Sequence, residues 1–313
     1  MRILCGVVAL SLSAGLSVGC GIQSRGSFSA RFVKAGKPAI DLGGPAPDQK
    51  ATKKQLQAAQ DSKAKARSAS FGTSIENTDV RLSAALVVEH AIPTPENYLR
   101  VALEYKRLGI LDTCADHLTR ALEIAPQFAP AHEELARVWR DWGFPQLGLA
   151  SAHRAIYYAP HSASAQNTLG TLLAALGQID EAEHAFRHAL SIDPNAAWAY
   201  NNLCDLERRS GRFEAARADC EAALRAEPSL AATHNNLALI LAESDDLVGA
   251  REQFLAAGDE ATADYNIGIL QLAKGDYAAA AAAFEKAIQA RPGFTAAKER
   301  AHAARLFLLT GGH

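Results

Sequence analysis

The chain has 313 residues, a formal net charge of −2, 49% hydrophobic residues and 7% aromatic residues. This length allows one or two domains with a sizeable core, and the near-neutral charge argues against a strongly basic nucleic-acid-binding protein. Alanine is abundant, whereas aromatic and β-branched residues are scarce, which favours helices over sheets. We therefore expect an all-α protein.

The N-terminus has the pattern of a secretion signal. A basic start is followed by an uncharged apolar segment, 3–18, that is too short for a transmembrane helix. The sequence LSVGC at 16–20 resembles a bacterial lipobox. The resemblance implies a lipoprotein signal peptide at 1–19, a lipid on Cys20 and, because Gly21 rather than Asp follows, the periplasmic face of the outer membrane. A cleaved signal without a lipid and an uncleaved anchor are the alternatives.

Two segments, 20–78 and 79–94, lie between the predicted signal peptide and the rest of the chain. Residues 20–78 are a predicted flexible basic tether, with ten basic and three acidic residues between Gly21 and Ser70, because this composition cannot bury enough apolar surface to fold. The tether either binds anionic lipid or cell-wall polymer or is a solvated spacer. Residues 79–94 are predicted to hold an N-terminal helix, Val80–Ala91, and a Pro-rich junction.

The rest of the chain contains an internal repeat. Proline recurs every 34 residues at 126, 160, 194 and 228, and again at 292. A glycine lies 17 residues before each of these prolines, and an alanine lies five residues before each. The pattern resembles the tetratricopeptide repeat (TPR), a unit of two antiparallel helices, A and B.

The resemblance implies an all-α TPR solenoid, a right-handed superhelix of about six helix-turn-helix units that follows a signal peptide and a flexible linker. The solenoid is expected to span 95–310. We place the units, numbered one to six below, at 95–128, 129–162, 163–196, 197–230, 231–260 and 261–294, with a capping helix at 295–310.

The sequence contains no phosphate-binding glycine loop, no Cys-x-x-Cys pair and no nucleophile elbow. We therefore predict a protein that is not an enzyme and that has no cofactor and no metal. His184 and His188 have the i, i+4 spacing of metal ligands. They fall on the outer face of a predicted helix B, where we expect a plain solvated surface.

The predicted binding site is the concave groove that the A helices of a TPR superhelix line. Asn202, Asn236 and Asn266 have the same position in three successive units. This row is similar to the asparagine ladder of superhelical TPR domains, which clamps the backbone of an extended peptide, because an amide side chain offers both a donor and an acceptor. The alternative is structural, with each Asn bridging adjacent helices. The predicted groove residues are Asn201, Asn202, Asn235, Asn236, Asn266, Trp198, Asp205 and Tyr265.

Two cysteines are predicted to lie close together. Cys204 and Cys220 fall in helices A and B of unit four, equidistant from its turn, so antiparallel packing brings them near each other. In an oxidising periplasm they would form a disulfide. The alternative is that they are two small hydrophobic residues that fill the core.

The combination of a lipobox with about six TPR units resembles the outer-membrane TPR lipoproteins of pilus assembly, namely the Flp (Tad) TPR lipoprotein and the type IV pilotins. The resemblance implies a non-enzymatic scaffold that binds other proteins, as extended peptides or envelope-assembly subunits, and no nucleic acid. An adaptor that organises cell-wall enzymes and a TPR regulatory subunit of an enzyme are the alternatives.

Lipidation at Cys20 is directly testable. We expect Cys20→Ser to abolish labelling by a fatty-acid analogue and to release the protein into the soluble periplasm, because acyl chains contribute about 0.8 kcal/mol of membrane affinity per buried CH₂ group. Cys114→Ser is the control and should label like the wild type. Unchanged labelling of the Cys20→Ser variant would contradict the lipobox assignment.

Overall fold

The computed structural model describes residues 79–310, and every regular element in this range is an α-helix. The all-α prediction is therefore confirmed, whereas the predicted signal peptide, lipobox and tether lie outside the described residues. Between residues 79 and 310, no helix combines the length and the apolar character needed to cross a bilayer. The described chain forms two compact bodies, 79–228 and 229–310.

The N-terminal body consists of one helix followed by four helical hairpins. Within each hairpin, helix A packs against the helix B that follows it, and each helix B packs against the next helix A. Its helices are α1 Val80–Ala91, α2 Pro95–Arg107, α3 Leu111–Ile124, α4 Ala129–Asp141, α5 Pro145–Tyr158, α6 Ala163–Ala175, α7 Ile179–Ile192, α8 Ala197–Arg209 and α9 Phe213–Ala226.

The C-terminal body contains two hairpins and a final helix. The second helix of its first hairpin has 11 residues, whereas the second helices of the other hairpins have 14. This shorter helix accounts for three of the four residues that the predicted unit 231–260 lacks. The helices of this body are α10 Ala231–Glu243, α11 Leu247–Ala257, α12 Glu260–Ala273, α13 Tyr277–Ala290 and α14 Thr295–Thr310.

The recurring glycines end helix A in a left-handed conformation. Gly109, Gly143, Gly177, Gly211 and Gly275 have φ angles between +75° and +89°. After Gly109, the amide of Ile110 donates to the carbonyl of Tyr105 at 2.9 Å, which satisfies one of the carbonyls at the helix end. Unit five has Asp245 at this place with φ +64°. Its carboxylate lies 2.6 Å from the ammonium of Lys274.

The two helices of each unit meet at the eighth and twenty-fourth positions, which we call the contact pair. In units three and six the pair is Gly–Phe: a Cβ atom added to Gly170 would lie 2.5 Å from the ring of Phe186. Close packing thus requires a small residue opposite a large one. The other pairs are Ala102–Leu118, Ala136–Ala152, Cys204–Cys220 and Ala238–Phe254.

Helix α1 belongs to the core of the N-terminal body. Its Leu82 is fully buried and packs in one cluster with Val101 and Leu118 of unit one. Its Glu89 carboxylate lies 2.8 Å from Nδ1 of His117 on α3, and burial raises the pKa of Glu89. Helix α1 therefore packs on unit one as each helix B packs on the next unit, and within the described residues it forms the second half of a repeat unit.

The close contact between Gly170 and Phe186 predicts that one added methyl group at position 170 lowers the stability of the fold. We expect Gly170→Ala to lower the free energy of unfolding by about 1 kcal/mol, because overpacking against the buried Phe186 ring costs about 1–3 kcal/mol and the gain in helix propensity returns about 1 kcal/mol. Denaturant unfolding followed by circular dichroism measures this loss. Gly293→Ala is the control, since no heavy atom lies within 4 Å of the added Cβ. A Gly170→Ala variant as stable as the wild type would refute the steric argument.

Candidate protein-binding surface

The A helices of the N-terminal body carry a network of polar side chains, which we call the helix-A face. Arg137 on α4 is its centre and donates to Oγ of Ser164 at 2.8 Å and to Oγ1 of Thr168 at 3.0 Å, both on α6. The same guanidinium also contacts the carboxylates of Glu133 and Glu134. This one side chain therefore joins units two and three.

The network extends to unit one through Glu134. Its carboxylate accepts a hydrogen bond from Nζ of Lys106 on α2 at 2.7 Å. Burial would raise the pKa of Glu134, but the neighbouring Arg137 and Lys106 lower it below its ordinary value. Glu134 thus stabilises the fold when ionised, and this stabilisation is lost as the pH falls through its lowered pKa.

The asparagine row begins with a bridge between two units. Nδ2 of Asn202 on α8 donates to Oδ1 of Asn167 on α6 at 2.7 Å. This bond is the bridge that the structural alternative describes. Asn167 was not among the predicted groove residues, although it lies 34 residues before Asn201 and so has the equivalent position. Asn201 also takes part in an interaction of its own.

Trp198 lies in the first turn of α8 and is 37% exposed. The spacing of Trp198, Asn202 and Asp205 places the three side chains on one side of the helix. The Asp205 carboxylate is 2.7 Å from Nη2 of Arg208 and 3.7 Å from Nη1 of Arg209. The α8 part of the helix-A face therefore combines an exposed indole, an amide bridge and a paired carboxylate.

The predicted row divides between the two bodies. Asn201 and Asn202 belong to the N-terminal body, whereas Asn235 and Asn236 on α10 and Asn266 on α12 belong to the C-terminal body. Asn236 and Asn266 take part in interactions of their own.

Tyr265 of the C-terminal body has a packing role. Its ring centroid is 5.5 Å from that of Phe284 and 4.9 Å from that of Phe294. These contacts place the ring within the packing of unit six. The role of Tyr265 in selecting ligand side chains therefore stays a prediction. Only the part of its side chain that the two phenyl rings do not cover is available for this role.

The structure joins Cys204 of α8 to Cys220 of α9 by a disulfide, with an S–S distance of 2.04 Å and a Cα–Cα distance of 5.2 Å. The bond occupies the contact pair of unit four. Of the described residues, Cys114 is the free cysteine, and it is buried. Burial raises the pKa of its thiol to about 12, so this thiol has little thiolate to react.

The paired histidines lie where the sequence predicts. His184 and His188 are both exposed on α7, a helix B. Within residues 79–310, no group of three or more His, Cys, Asp or Glu side chains is arranged to hold a metal ion.

Tetratricopeptide-repeat models match residues 163–196, 202–264 and 252–294. The chain is similar to a solved structure of the APC/C hetero-tetramer Cut9–Hcn1, with 17% identity and a TM-score of 0.59 over 71% of this chain and 45% of that one. It therefore spans less than half of that chain. The comparison with curated proteins gave no match.

Two bacterial structures are similar over most of their own length. One is PilW, described as a widely conserved type IV pilus biogenesis factor, with 21% identity and a TM-score of 0.56 over 67% of this chain and 97% of that one. The other is Pseudomonas aeruginosa pilF, with 23% identity and a TM-score of 0.52 over 66% of this chain and 95% of that one. These likenesses and the hairpin geometry define a TPR solenoid fold. TPR repeats indicate a scaffold for protein–protein interactions, with proteins as partners.

The amide bridge predicts coupling between two asparagines. We expect the combined variant Asn167→Ala with Asn202→Ala to lose less stability than the two single variants together, by about 0.5–1.5 kcal/mol, because one hydrogen bond is counted in both. Urea unfolding of the four proteins measures this coupling. Asn202→Ala combined with His184→Ala is the control and should be additive. Additivity for the Asn167–Asn202 pair would argue against the bridge.

We expect the Cys204–Cys220 disulfide to be present in the mature protein. Mass mapping without reduction should find the peptides that contain Cys204 and Cys220 linked, and the closed loop should stabilise the fold by roughly 3 kcal/mol in the chain-entropy model. Cys114 serves as the internal control and should be alkylated only after unfolding. Alkylation of Cys204 and Cys220 in the unfolded, unreduced protein would show that the bond is absent.

Proposed function

We propose that the protein is a non-enzymatic scaffold that binds an extended peptide segment of a partner along the helix-A face of its N-terminal body. The observation that carries this proposal is the exposed Trp198, which lies about one helical turn before Asn202 of the Asn202–Asn167 bridge and on the same side of α8. The bridge and the indole supply two complementary kinds of contact, which act on the backbone and on a side chain of the ligand.

Once the bridge has formed, the two amide side chains still carry one acceptor and one donor, which are the groups that bind one peptide unit. The bond uses a donor of Asn202 and an acceptor lone pair of Asn167. Each side chain keeps its complementary group, which is Oδ1 of Asn202 and Nδ2 of Asn167. A peptide N–H binds the former and a peptide C=O binds the latter. The structural and the ligand-binding interpretations of the asparagines are therefore compatible, because the bridge orients both amides before the ligand arrives.

The indole supplies the anchor. Aromatic side chains dominate the binding energy of protein interfaces when they become fully buried on association. Trp198 is 37% exposed in the unbound chain, so an apolar ligand side chain that covers it gains contact area without a large rearrangement.

The charges of the helix-A face favour a ligand that is neutral where it contacts this surface. Arg137, Lys106 and Arg208 each have a carboxylate partner within this body. A strongly charged ligand segment would have to break one of these pairs and leave a partly buried charge behind, which is costly. Recognition through the peptide backbone and an apolar side chain avoids that cost.

We further infer a place in the cell envelope. The lipobox-like sequence that ends at Cys20 supports anchoring to the outer membrane with the TPR units in the periplasm. The similarity to PilW, described as a pilus biogenesis factor, supports a role in pilus assembly, whose subunits would then supply the peptide. Since that similarity is at the level of the fold, pilus assembly depends on the experiment that identifies the partner.

Binding is tested on the full mature chain. Peptides selected from a random display library should bind Trp198→Ala at least about tenfold more weakly than the wild type, because the loss of an aromatic anchor costs about 2 kcal/mol or more. The variant with both Asn167→Ala and Asn202→Ala should also bind more weakly. His184→Ala with His188→Ala, on an exposed helix B, is the matched control and should bind normally. Unchanged affinity in a Trp198→Ala protein with normal circular dichroism would exclude this surface.

The partner is tested in the source bacterium. A photo-crosslinking amino acid at position 201, which leaves the Trp198 indole in place, should capture one discrete protein, and the same group at position 184 should not. A captured pilus-assembly subunit would support the pilus role. A cell-wall enzyme would instead favour an adaptor that organises such enzymes.

A further inference from the structure

Helix α1 exposes a row of small apolar side chains, which we call the α1 stripe. It consists of Val80, Ala84 and Val87, whose spacing places them on one side of the helix. Val80 is 82% exposed and Val87 is 69% exposed, and Ala84 is exposed as well. The side of α1 that packs on unit one is a different one, which carries the buried Leu82 and Ala85.

In the complete units, the equivalent side of helix B is covered by helix A. The residues 34 positions after the stripe are Cys114, Leu118 and Ala121 of α3, and all three are buried. Leu118 forms the contact pair with Ala102 of helix A, and both belong to one core cluster. The α1 stripe is therefore the surface on which a helix A would pack. The equivalent residues of unit three are also buried, namely Ala182, Phe186 and Ala189.

A second copy of the chain is a poor fit for the α1 stripe. A stable interface between two proteins takes about 20–30 residues from each partner, whereas the stripe offers three. The final helix α14 occupies the place of a helix A and could in principle pair with α1 of another copy. Its fourth, eighth and eleventh residues, which would meet that helix, are Lys298, His302 and Arg305, and burying these charged groups against valine and alanine is costly.

Three residues of helix A in unit one face its helix B. They are the fourth, eighth and eleventh residues of α2, namely Tyr98, Ala102 and Tyr105. The ring centroids of Tyr98 and Tyr105 lie 6.0 Å and 5.3 Å from that of His117 on α3, and Ala102 is the small member of the contact pair. A helix A that packs on the α1 stripe needs small or apolar residues at the same three positions.

The chain before α1 has this pattern. The residues 34 positions before the three side chains of α2 are Ala64, Ser68 and Phe71, which are two small residues and an aromatic one. Arg67 lies 34 residues before Val101, which packs in the cluster that α1 contributes to. That side of helix A faces the preceding helix B, so in the first unit of an array it faces solvent, where an arginine is suitable.

The contact pair of such a unit would be Ser68 with Ala84. Both residues are small, as in two of the complete units, so the helix backbones can approach closely. A helix A that ends at residue 73 leaves the six residues 74–79 to reach α1, which is within the usual 2–8 residues of a connection between packed helices. The complete units with two small residues have Ala136–Ala152 and Cys204–Cys220.

We propose that residues 61–73, which lie outside the described residues, dock on the α1 stripe as the helix A of a further unit, with Ser68 against Ala84. Because this segment is joined to α1 by a short connection, its effective concentration at the stripe is high, and three side chains suffice where a separate chain would need many more. Docking adds one helix to the helix-A face and limits the predicted flexible tether to 20–60. This inference does not rest on the proposed function, and its test needs no ligand.

A pair of cysteines tests the docking directly. Ser68→Cys with Ala84→Cys in the full mature chain places two thiols at the positions that Cys204 and Cys220 occupy in unit four, where the Cα atoms are 5.2 Å apart. We expect an intramolecular 68–84 disulfide to form in a glutathione redox buffer, and mass mapping without reduction detects it.

Ser70→Cys with Ala84→Cys is the matched control. Position 70 is two residues from position 68 and so falls on the other side of a helix. The equilibrium constant of the 68–84 bond should exceed that of the 70–84 bond by about tenfold or more, because docking raises the effective concentration of one thiol and not of the other. Equal constants would overturn the proposal. A single Ala84→Cys variant that dimerises through an 84–84 bond would show that a second copy covers the stripe, and would overturn it too.

Hydrogen exchange provides a test without added thiols. In the wild type, we expect the amides of 63–73 to exchange at least about tenfold more slowly than unprotected amides. Val87→Asp should remove this protection, although Val87 is exposed in the described structure and its substitution leaves the core intact. Val248→Asp on α11 is the control, since Val248 is similarly exposed at 74%, and it should leave the protection of 63–73 unchanged. Unprotected amides in the wild type, or protection that survives Val87→Asp, would overturn the proposal.

Discussion

The structure depends on the close approach of two helices at one point in each repeat. Where helix A has glycine at the eighth position, helix B places a phenylalanine against it, as with Gly170 and Phe186. Where both residues are small, the backbones themselves come close: a Cβ added at Gly148 of unit two would lie 2.8 Å from the carbonyl oxygen of Ala136. Packing at this contact sets how the two helices of the hairpin lie against each other. That arrangement then determines which side of helix A is available to polar residues.

In the proposed function, the polar side of helix A contributes both to stability and to recognition. Lys106 of unit one pairs with Glu134 of unit two, Glu134 pairs with Arg137, and Arg137 donates to Thr168 of unit three, so these charges are compensated before any ligand arrives. The asparagine bridge between α6 and α8 does the same for amides, but it leaves a donor and an acceptor in place. In the proposed function, such a surface would recognise the features that all peptides share, because its charged groups already have partners.

Sequence spacing predicted the hairpins because their main determinants are local. The glycines at 109, 143, 177, 211 and 275 mark left-handed turns, and the prolines mark the ends of helix B. Sequence spacing alone could not show which side chains contact one another. It grouped Asn202 with Trp198 and Asp205 on one side of α8 but could not distinguish a bridge to Asn167 from an amide open to a ligand. It also could not show that Tyr265 packs against two phenyl rings, or that α1 forms half a repeat, since both depend on contacts between distant residues.

The half repeat at the start of the array has a mechanical consequence. The described chain begins at Asp79, whose Oδ1 accepts from the amide of Leu82 at 2.9 Å and whose Oδ2 is 2.7 Å from Nη2 of Arg107 on α2. A pulling force on the chain before this residue acts on an ion pair and a helix cap at the same time. The buried Leu82 and the Glu89–His117 contact lie further along α1, so peeling this helix from its N-terminal end has to break three successive contacts with unit one.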